Sequence, residues 1–269
     1  ILADDPEMTF VVDQVPHLEP FRRSDPAGFE QLRQLVRAGR VEPVNGMYAE
    51  PDTNLVSGES LVRQSVAWQR YCQKWFGVTS RCGWLIDSFG MSAQLPQILC
   101  LSGVEFLAYS RAPVSRLMPS EFLWEGLDGT RLPTHCMPRK YNIGHPMPVR
   151  RERALRKMLK DYRLLRERSA TGEVLYPCGV DHGRPQREYT VMSRAWNDEV
   201  ESVKFKPSLP SRFFDSLPLD DLRVYRGELQ RELWGTTSAR ISLKQLNREC
   251  EFALSDAAKI AGAASMLGA

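Results

Sequence analysis

Two aspartates occupy positions where a side chain can do chemistry. Trp84-Leu-Ile-Asp87-Ser-Phe-Gly90 sets one directly after a hydrophobic run, and Cys178-Gly-Val-Asp181-His182-Gly183 sets another after Val174-Leu-Tyr176. A residue at the carboxyl end of a strand in an α/β sheet faces the side on which such folds bind ligands. Two carboxylates on two strand ends of one sheet can face each other. A pair about 5–5.5 Å apart is what retaining glycoside cleavage needs. One attacks the sugar carbon; the other protonates the leaving oxygen and then activates water. Each residue also has a plainer reading. An aspartate after a strand often caps the next helix, and Asp181-His182-Gly183 also reads as a capping residue and a surface histidine in a Gly-rich turn.

The elements that must position these residues follow from apolar spacing and stop signals. Thr9 to Asp13, Val41 to Val44, Gly83 to Ile86 and Val174 to Tyr176 read as buried strands. Asp25-Pro26 reads as an N-cap and first-turn proline, with Phe29, Leu32 and Val36 on one helical face and Gly39 closing it. Ser57 caps a helix carrying Leu61, Trp68, Cys72 and Trp75, ended by Gly77. Gly90 lets the chain turn from the third strand into a helix from Ser92 to about Leu101. Phe122-Leu-Trp124 and Arg131-Leu132 flank Asp128-Gly129 as a hairpin. Charged helices follow at Arg150 to Arg168 and from about Arg187. Repeated strand-then-helix units predict a mostly parallel sheet with right-handed crossovers, either a barrel or a doubly wound sheet. Ala239, Leu243, Leu246, Cys250, Ala253, Ala257 and Ile260 form a narrow apolar seam on a last long helix. That seam reads as the first helix of a bundle, or else as a helix folded back on the main domain.

Composition removes several function classes. At 42% apolar and 26% charged residues the chain is an ordinary globular one, and its net charge of +3, with both signs interleaved, leaves no basic stripe for nucleic acid. No apolar run is long enough to span a membrane, and no signal peptide is present. Six scattered cysteines with no Cys-x-x-Cys argue against a structural zinc knot and read as buried reduced thiols of a cytoplasmic protein. The chain opens on Ile1 and ends on an apolar helix, so both ends read as cut.

Several blocks together resemble glycoside hydrolase family 38 α-mannosidases, above all the bacterial and cytosolic members. They are Gly39-Arg-Val-Glu42 through Gly46-Met-Tyr-Ala-Glu50-Pro-Asp52, Ser57-Gly-Glu-Ser-Leu-Val-Arg63-Gln64, and Asp87-Ser-Phe-Gly90 with Gln94-Leu-Pro96. Phe122-Leu-Trp124-Glu125-Gly126-Leu-Asp128-Gly129-Thr130, Gly179-Val-Asp181-His182-Gly183, Gly227-Glu228-Leu229 and Lys244-Gln-Leu-Asn247-Arg248 continue the pattern. Each block alone is weak; their shared order and spacing from about Met8 onward is specific. The resemblance implies an α/β fold: a (β/α)7-type barrel, incomplete at the amino terminus, over residues 1–235, followed over 236–269 by the first helix of a three-helix bundle. It implies a retaining, exo-acting enzyme that removes terminal α-linked mannose from glycans or oligosaccharides. Asp87 falls on the nucleophile, which is also one zinc ligand, and Asp181 on the general acid/base. Arg111 falls on an active-site arginine and Tyr141 near a sugar-contacting tyrosine, both substrate-binding.

The departures from the family pattern matter equally. The family's His-x-His-x-Asp segment, which supplies two zinc ligands, would precede Ile1, and a further histidine ligand would follow Ala269. Of the ligands for one divalent ion, only Asp87 is therefore visible, and tight zinc binding needs three or four. The Gly-rich run after Asp181 is two residues shorter than the family's. His17 reads as a surface residue. His135 and His145 read as loop or supporting residues, and Glu50 and Asp52 as strand-end groups that hydrogen-bond loops near the site. The competing reading is a non-catalytic remnant that binds sugar weakly or serves only as an interaction module. The open strand edges of an incomplete barrel favour association, such as a homo-oligomer. A polysaccharide-deacetylase-like metal site ranks last, because the four histidines lack its spacing.

Overall fold

The computed structural model describes residues 1–111, 118–230 and 233–268. In chain order these form β1 (Phe10–Val12), α1 (Val15–Ser24), α2 (Pro26–Arg37), β2 (Val41–Pro43), α3 (Gly58–Phe76), β3 (Cys82–Leu85) and α4 (Leu95–Leu101). Then come β4 (Phe106–Tyr109), β5 (Glu121–Glu125), β6 (Arg131–Cys136), α5 (Arg151–Arg166), α6 (Glu188–Glu199), α7 (Pro210–Asp215), β7 (Val224–Arg226) and α8 (Ile241–Met266). The helix boundaries follow the local chemistry. The Asp25 carboxylate accepts from the Gly28 N–H at 2.9 Å to start α2, and the Ser57 hydroxyl accepts from the Ser60 N–H at 3.2 Å to start α3. Gly77, at φ 73°, ends α3 in the left-handed region that favours glycine.

The five-stranded sheet has the order β3-β4-β6-β5-β7, and β1 pairs with β2 in a smaller sheet. An isolated parallel bridge between Asn45 and Gly83 joins the two: the Asn45 N–H donates to Cys82 at 3.1 Å. Every pairing is parallel except β5 with β6, the hairpin marked by Asp128-Gly129. The sheet is therefore mixed but mostly parallel, the hairpin placing β5 between β6 and β7. Among the described residues the sheet is open, and a closed barrel is not seen. Its faces are packed on both sides, which explains the continuous apolar runs: all four residues of β3 and of β4 are buried. One core holds Leu85, Leu99, Leu107, Tyr109, Phe122 and Trp124. On the other side Trp84, Phe106 and Ala108 meet Phe213 and Phe214.

Several local expectations change. Val174-Leu-Tyr176 is not a strand: it runs extended but unpaired among the described residues. Its edge is taken up differently. The Pro177 carbonyl accepts from the Gly144 N–H at 2.9 Å, and the Tyr176 hydroxyl donates to Asp161 on α5 at 2.7 Å. Asp181 consequently sits on a loop, not at a strand end. Residues 15–24, to which the sequence reading assigns no element, form α1 despite Pro20 within it. Burial of Val15 and Leu18 against Phe29 and Trp68 outweighs the lost backbone hydrogen bond. The last helix does not fold back. No residue of α8 is buried, and it is moored near its middle, where Arg248 donates to the Leu55 carbonyl at 3.0 Å and Glu251 accepts from the Ser57 N–H at 2.8 Å.

Candidate active site

The strand register brings the first two residues together. Leu85 pairs with Tyr109 at the carboxyl ends of parallel strands β3 and β4. Asp87 and Arg111 each lie two residues beyond that pair, so they leave the same edge of the sheet side by side. The Arg111 guanidinium donates to Asp87 Oδ1, through Nε at 2.6 Å and also through a terminal nitrogen. The Asp87 side chain remains 43% exposed, whereas that of Arg111 is 18% exposed, so the carboxylate is oriented by a cation yet open to a ligand. The guanidinium lies 5.5 Å from the Phe89 ring centre and 5.6 Å from that of Tyr141, a packed rather than free arginine.

Tyr141 and Asp181 complete the constellation. β6 runs parallel to β4 with Tyr109 opposite Cys136, and Tyr141 follows in the loop beyond it. Its ring is buried, and its hydroxyl donates to Asp181 Oδ2 at 2.5 Å. Burial, the Asp181 bond and the nearby Asp87 and Asp181 charges push the Tyr141 hydroxyl up to about 12. It therefore stays a donor at neutral pH, with both carboxylates near it. The loop carrying Tyr141 is knitted to the segment carrying Asp181. Gly144 approaches so closely that a Cβ there would lie 2.7 Å from the Pro177 carbonyl oxygen, and the Gln186 side chain accepts from the Met147 N–H at 2.9 Å.

A second layer of acids lies behind Asp87. Glu50 Oε1 accepts from the Asp87 N–H at 2.7 Å and from the Ser88 hydroxyl at 3.1 Å. Burial pushes the Glu50 carboxyl up to about 7, helped by the negative charge of Asp13, while the bonds from Asp87 and Ser88 pull the other way. Asp13, directly after β1, is raised by burial as well. Asp52 differs from Glu50: it is exposed, and its backbone carbonyl accepts from Leu55 at 2.9 Å.

No group of three or more His, Cys, Asp or Glu side chains that could hold a metal exists among the described residues. Asp87 alone does not fit zinc, and its Oδ1 is engaged by Arg111. The histidines have other partners. His135 is buried against Glu121 at 2.9 Å, His145 meets the Tyr189 hydroxyl at 2.9 Å, and His17 is exposed. All six cysteines are free thiols, and Trp84 and Trp124 are core residues. No helix among the described residues is long and apolar enough to cross a membrane.

Sequence reasoning passed over Gln14, Ser88, Phe89 and Gly144, which brace the site. Ser88 and Phe89 carried a signal as members of the Asp87-Ser-Phe-Gly90 block, and Gly144 as a glycine shortly after Tyr141. Gln14, at φ 53° and ψ 112°, is an unusual backbone geometry that no residue type announces.

Known proteins align with most of the chain. The family model described as "Glycosyl hydrolases family 38 N-terminal domain" matches residues 1–228. Human "Alpha-mannosidase 2C1" is 30% identical over 267 residues, covering 95% of this chain and 25% of the relative. The "Alpha-mannosidase" of Saccharomyces cerevisiae is 31% identical over 280 residues, covering 97% of this chain and 25% of the relative. The crystal structure of an alpha-mannosidase from Enterococcus faecalis V583 superposes with a TM-score of 0.82 at 29% identity, over 91% of this chain and 30% of that one. The chain thus spans about a quarter of the length of the curated relatives it matches. On the extent of the family-model match, the chain belongs to glycosyl hydrolase family 38.

Proposed function

We propose that this chain supplies the reacting carboxylates of a retaining, exo-acting α-mannosidase that removes terminal α-linked mannose from glycans or oligosaccharides. The observation that carries the reading is the chain of contacts from Asp87 to Arg111, from Arg111 to the Tyr141 ring and from the Tyr141 hydroxyl to Asp181 in a chain of this family. Asp87 attacks the anomeric carbon while Asp181 gives a proton to the departing oxygen, leaving a mannosyl ester on Asp87. Asp181, now a base, takes a proton from water, which opens the ester. Arg111 holds the Asp87 carboxylate in a fixed orientation. Tyr141 holds Asp181 and presents its ring to the sugar. Residues 1–235 then form part of a (β/α)7-type barrel, and 236–269 begin a helical bundle. Six free thiols agree with a cytoplasmic location. The described residues do not make a zinc site, so these steps involve the chain's own groups only, and zinc dependence is a proposal for the full gene product.

The test is cleavage of a chromogenic aryl α-mannoside by the full gene product, with and without chelator, beside D87N and D181N. Each variant is expected to lose at least about 10³-fold in kcat. No cleavage by the wild type with any divalent metal would sink the proposal. The second reading, a non-catalytic remnant that is inactive as this stretch alone, draws on the missing three-ligand group. Stoichiometric zinc on the isolated chain would argue against it.

A further inference from the structure

Three irregular segments meet behind Asp87, one after each of β1, β2 and β3. Their backbone groups have left the strand ladders and need other partners. Glu50 joins all three. Its Oε1 accepts from the Asp87 N–H at 2.7 Å and from the Ser88 hydroxyl at 3.1 Å, and its own N–H donates to Gln14 Oε1 at 3.2 Å. Neighbouring bonds run the same way. The Ser88 hydroxyl also lies 3.2 Å from the Pro51 carbonyl, and the Ser92 N–H donates to the Thr53 hydroxyl at 2.9 Å. Gln14 is itself held in its unusual backbone conformation, since its carbonyl accepts from His17 at 3.1 Å and the next residue's N–H donates to Tyr48 at 2.9 Å. The Asp87 side chain cannot brace its own turn, because Arg111 engages it.

We propose that Glu50 is the positioning residue that fixes the backbone turn carrying Asp87, with Gln14 as its brace. The proposal rests on Asp87 being the nucleophile. A nucleophile two residues past a strand end has its direction set by the peptide planes of that turn. Glu50 holds the first of these through the Asp87 N–H. Removing the acceptor leaves that N–H without its partner and frees the turn, so that Asp87 is held only at its side-chain end, by Arg111.

Glu50→Met keeps the side chain's reach and volume but removes the acceptor, and Glu50→Gln keeps an acceptor oxygen. In the full gene product, E50M is expected to lower kcat on an aryl α-mannoside by about 100-fold, the scale of an ångström's misplacement. KM stays within about threefold and E50Q within about fivefold of the wild type in kcat. Hydrogen–deuterium exchange of the peptide covering residues 86–92 gives a readout independent of activity: faster in E50M, unchanged in E50Q. A wild-type kcat in E50M overturns the proposal, as does a loss confined to the amount of folded protein. If E50M does not accumulate, Gln14→Ala is expected to show the same pattern at about 10-fold in kcat, and an unchanged kcat there overturns it equally. If the wild type cleaves no α-mannoside, the proposed function falls by itself. Exchange then decides whether Glu50 holds the turn: acceleration in E50M upholds it, and unchanged exchange overturns it.

Discussion

Replacing Gly144 with alanine tests the close approach on which the Tyr141–Asp181 pairing depends. Gly144 has no left-handed backbone to excuse its lack of a side chain, so the cost is steric alone. A Cβ there would lie 2.7 Å from the Pro177 carbonyl oxygen, 2.9 Å from Cys178 Sγ and 3.2 Å from Cys178 Cα. The first contact is about 0.6 Å shorter than an ordinary carbon–oxygen approach of roughly 3.3 Å. Two of the three obstacles are backbone and cannot rotate away. Overpacking of this kind costs about 1–3 kcal/mol. A loss of about 2 kcal/mol corresponds to roughly 4–8 °C in Tm for a domain of this size. Relief requires the loop carrying Tyr141 to move away from the segment carrying Asp181, which stretches the 2.5 Å bond between them. G144A is therefore expected to lose thermal stability and, in the full gene product, the proposed mannosidase activity. Gly58→Ala is the control: it opens α3 and has nothing within 4 Å, so it is expected to gain about 0.4–1 kcal/mol. Differential scanning calorimetry and aryl mannoside kinetics read both variants. A G144A protein with wild-type Tm and activity would show that the two segments part without cost, and the reasoning would fail.

Other outcomes follow from the same contacts. Tyr141→Phe keeps the ring but removes the donor to Asp181; a hydrogen bond to a charged group is worth about 1.5–3 kcal/mol, so Tm is expected to fall, and kcat/KM of the full gene product to fall by up to roughly 10- to 150-fold. Glu42 is raised above its ordinary 4.5 by burial, against two bonds from Ser211. A raised carboxyl favours the fold most below its unfolded value and loses that advantage as pH rises through the folded one. Glu42→Gln, permanently neutral and able to accept both bonds, is thus expected to raise Tm at pH 7.5. The gain should shrink as pH falls towards 4, and an equal gain at both pH values would contradict the burial argument.

The sequence made the local elements legible where one residue decides the matter. Asp25, Ser57 and Gly77 bound their helices as read, and Asp128-Gly129 marks the hairpin. It was misleading where the answer depends on a distant partner. Val174-Leu-Tyr176 has the composition of a strand, yet it pairs with no strand among the described residues, and the Tyr176 hydroxyl fixes it to α5 instead. The α1 stretch carries two prolines that argue for a loop, and only the apolar surface of α2 and α3 reverses that preference. The neighbourhood of Asp87 was visible through a family pattern. Glu50 was expected to hydrogen-bond a loop near the site and does, but its particular partners and the Gly144 contact were not legible, since each joins residues more than 30 positions apart.

Matched departure from β3 and β4 sets a rule for how this chain can tolerate length change. Asp87 and Arg111 meet because Cys82–Leu85 and Phe106–Tyr109 are hydrogen-bonded in one register. Residues added to the crossover between them, around α4, bulge outward and leave the ion pair where it was. A single residue added inside either strand reverses the alternation beyond it, turning one partner to the opposite face. Insertion scanning across residues 82–111 would therefore read as a permissive stretch between two intolerant ones, with the acid and the base of the pair separated by the smallest possible edit.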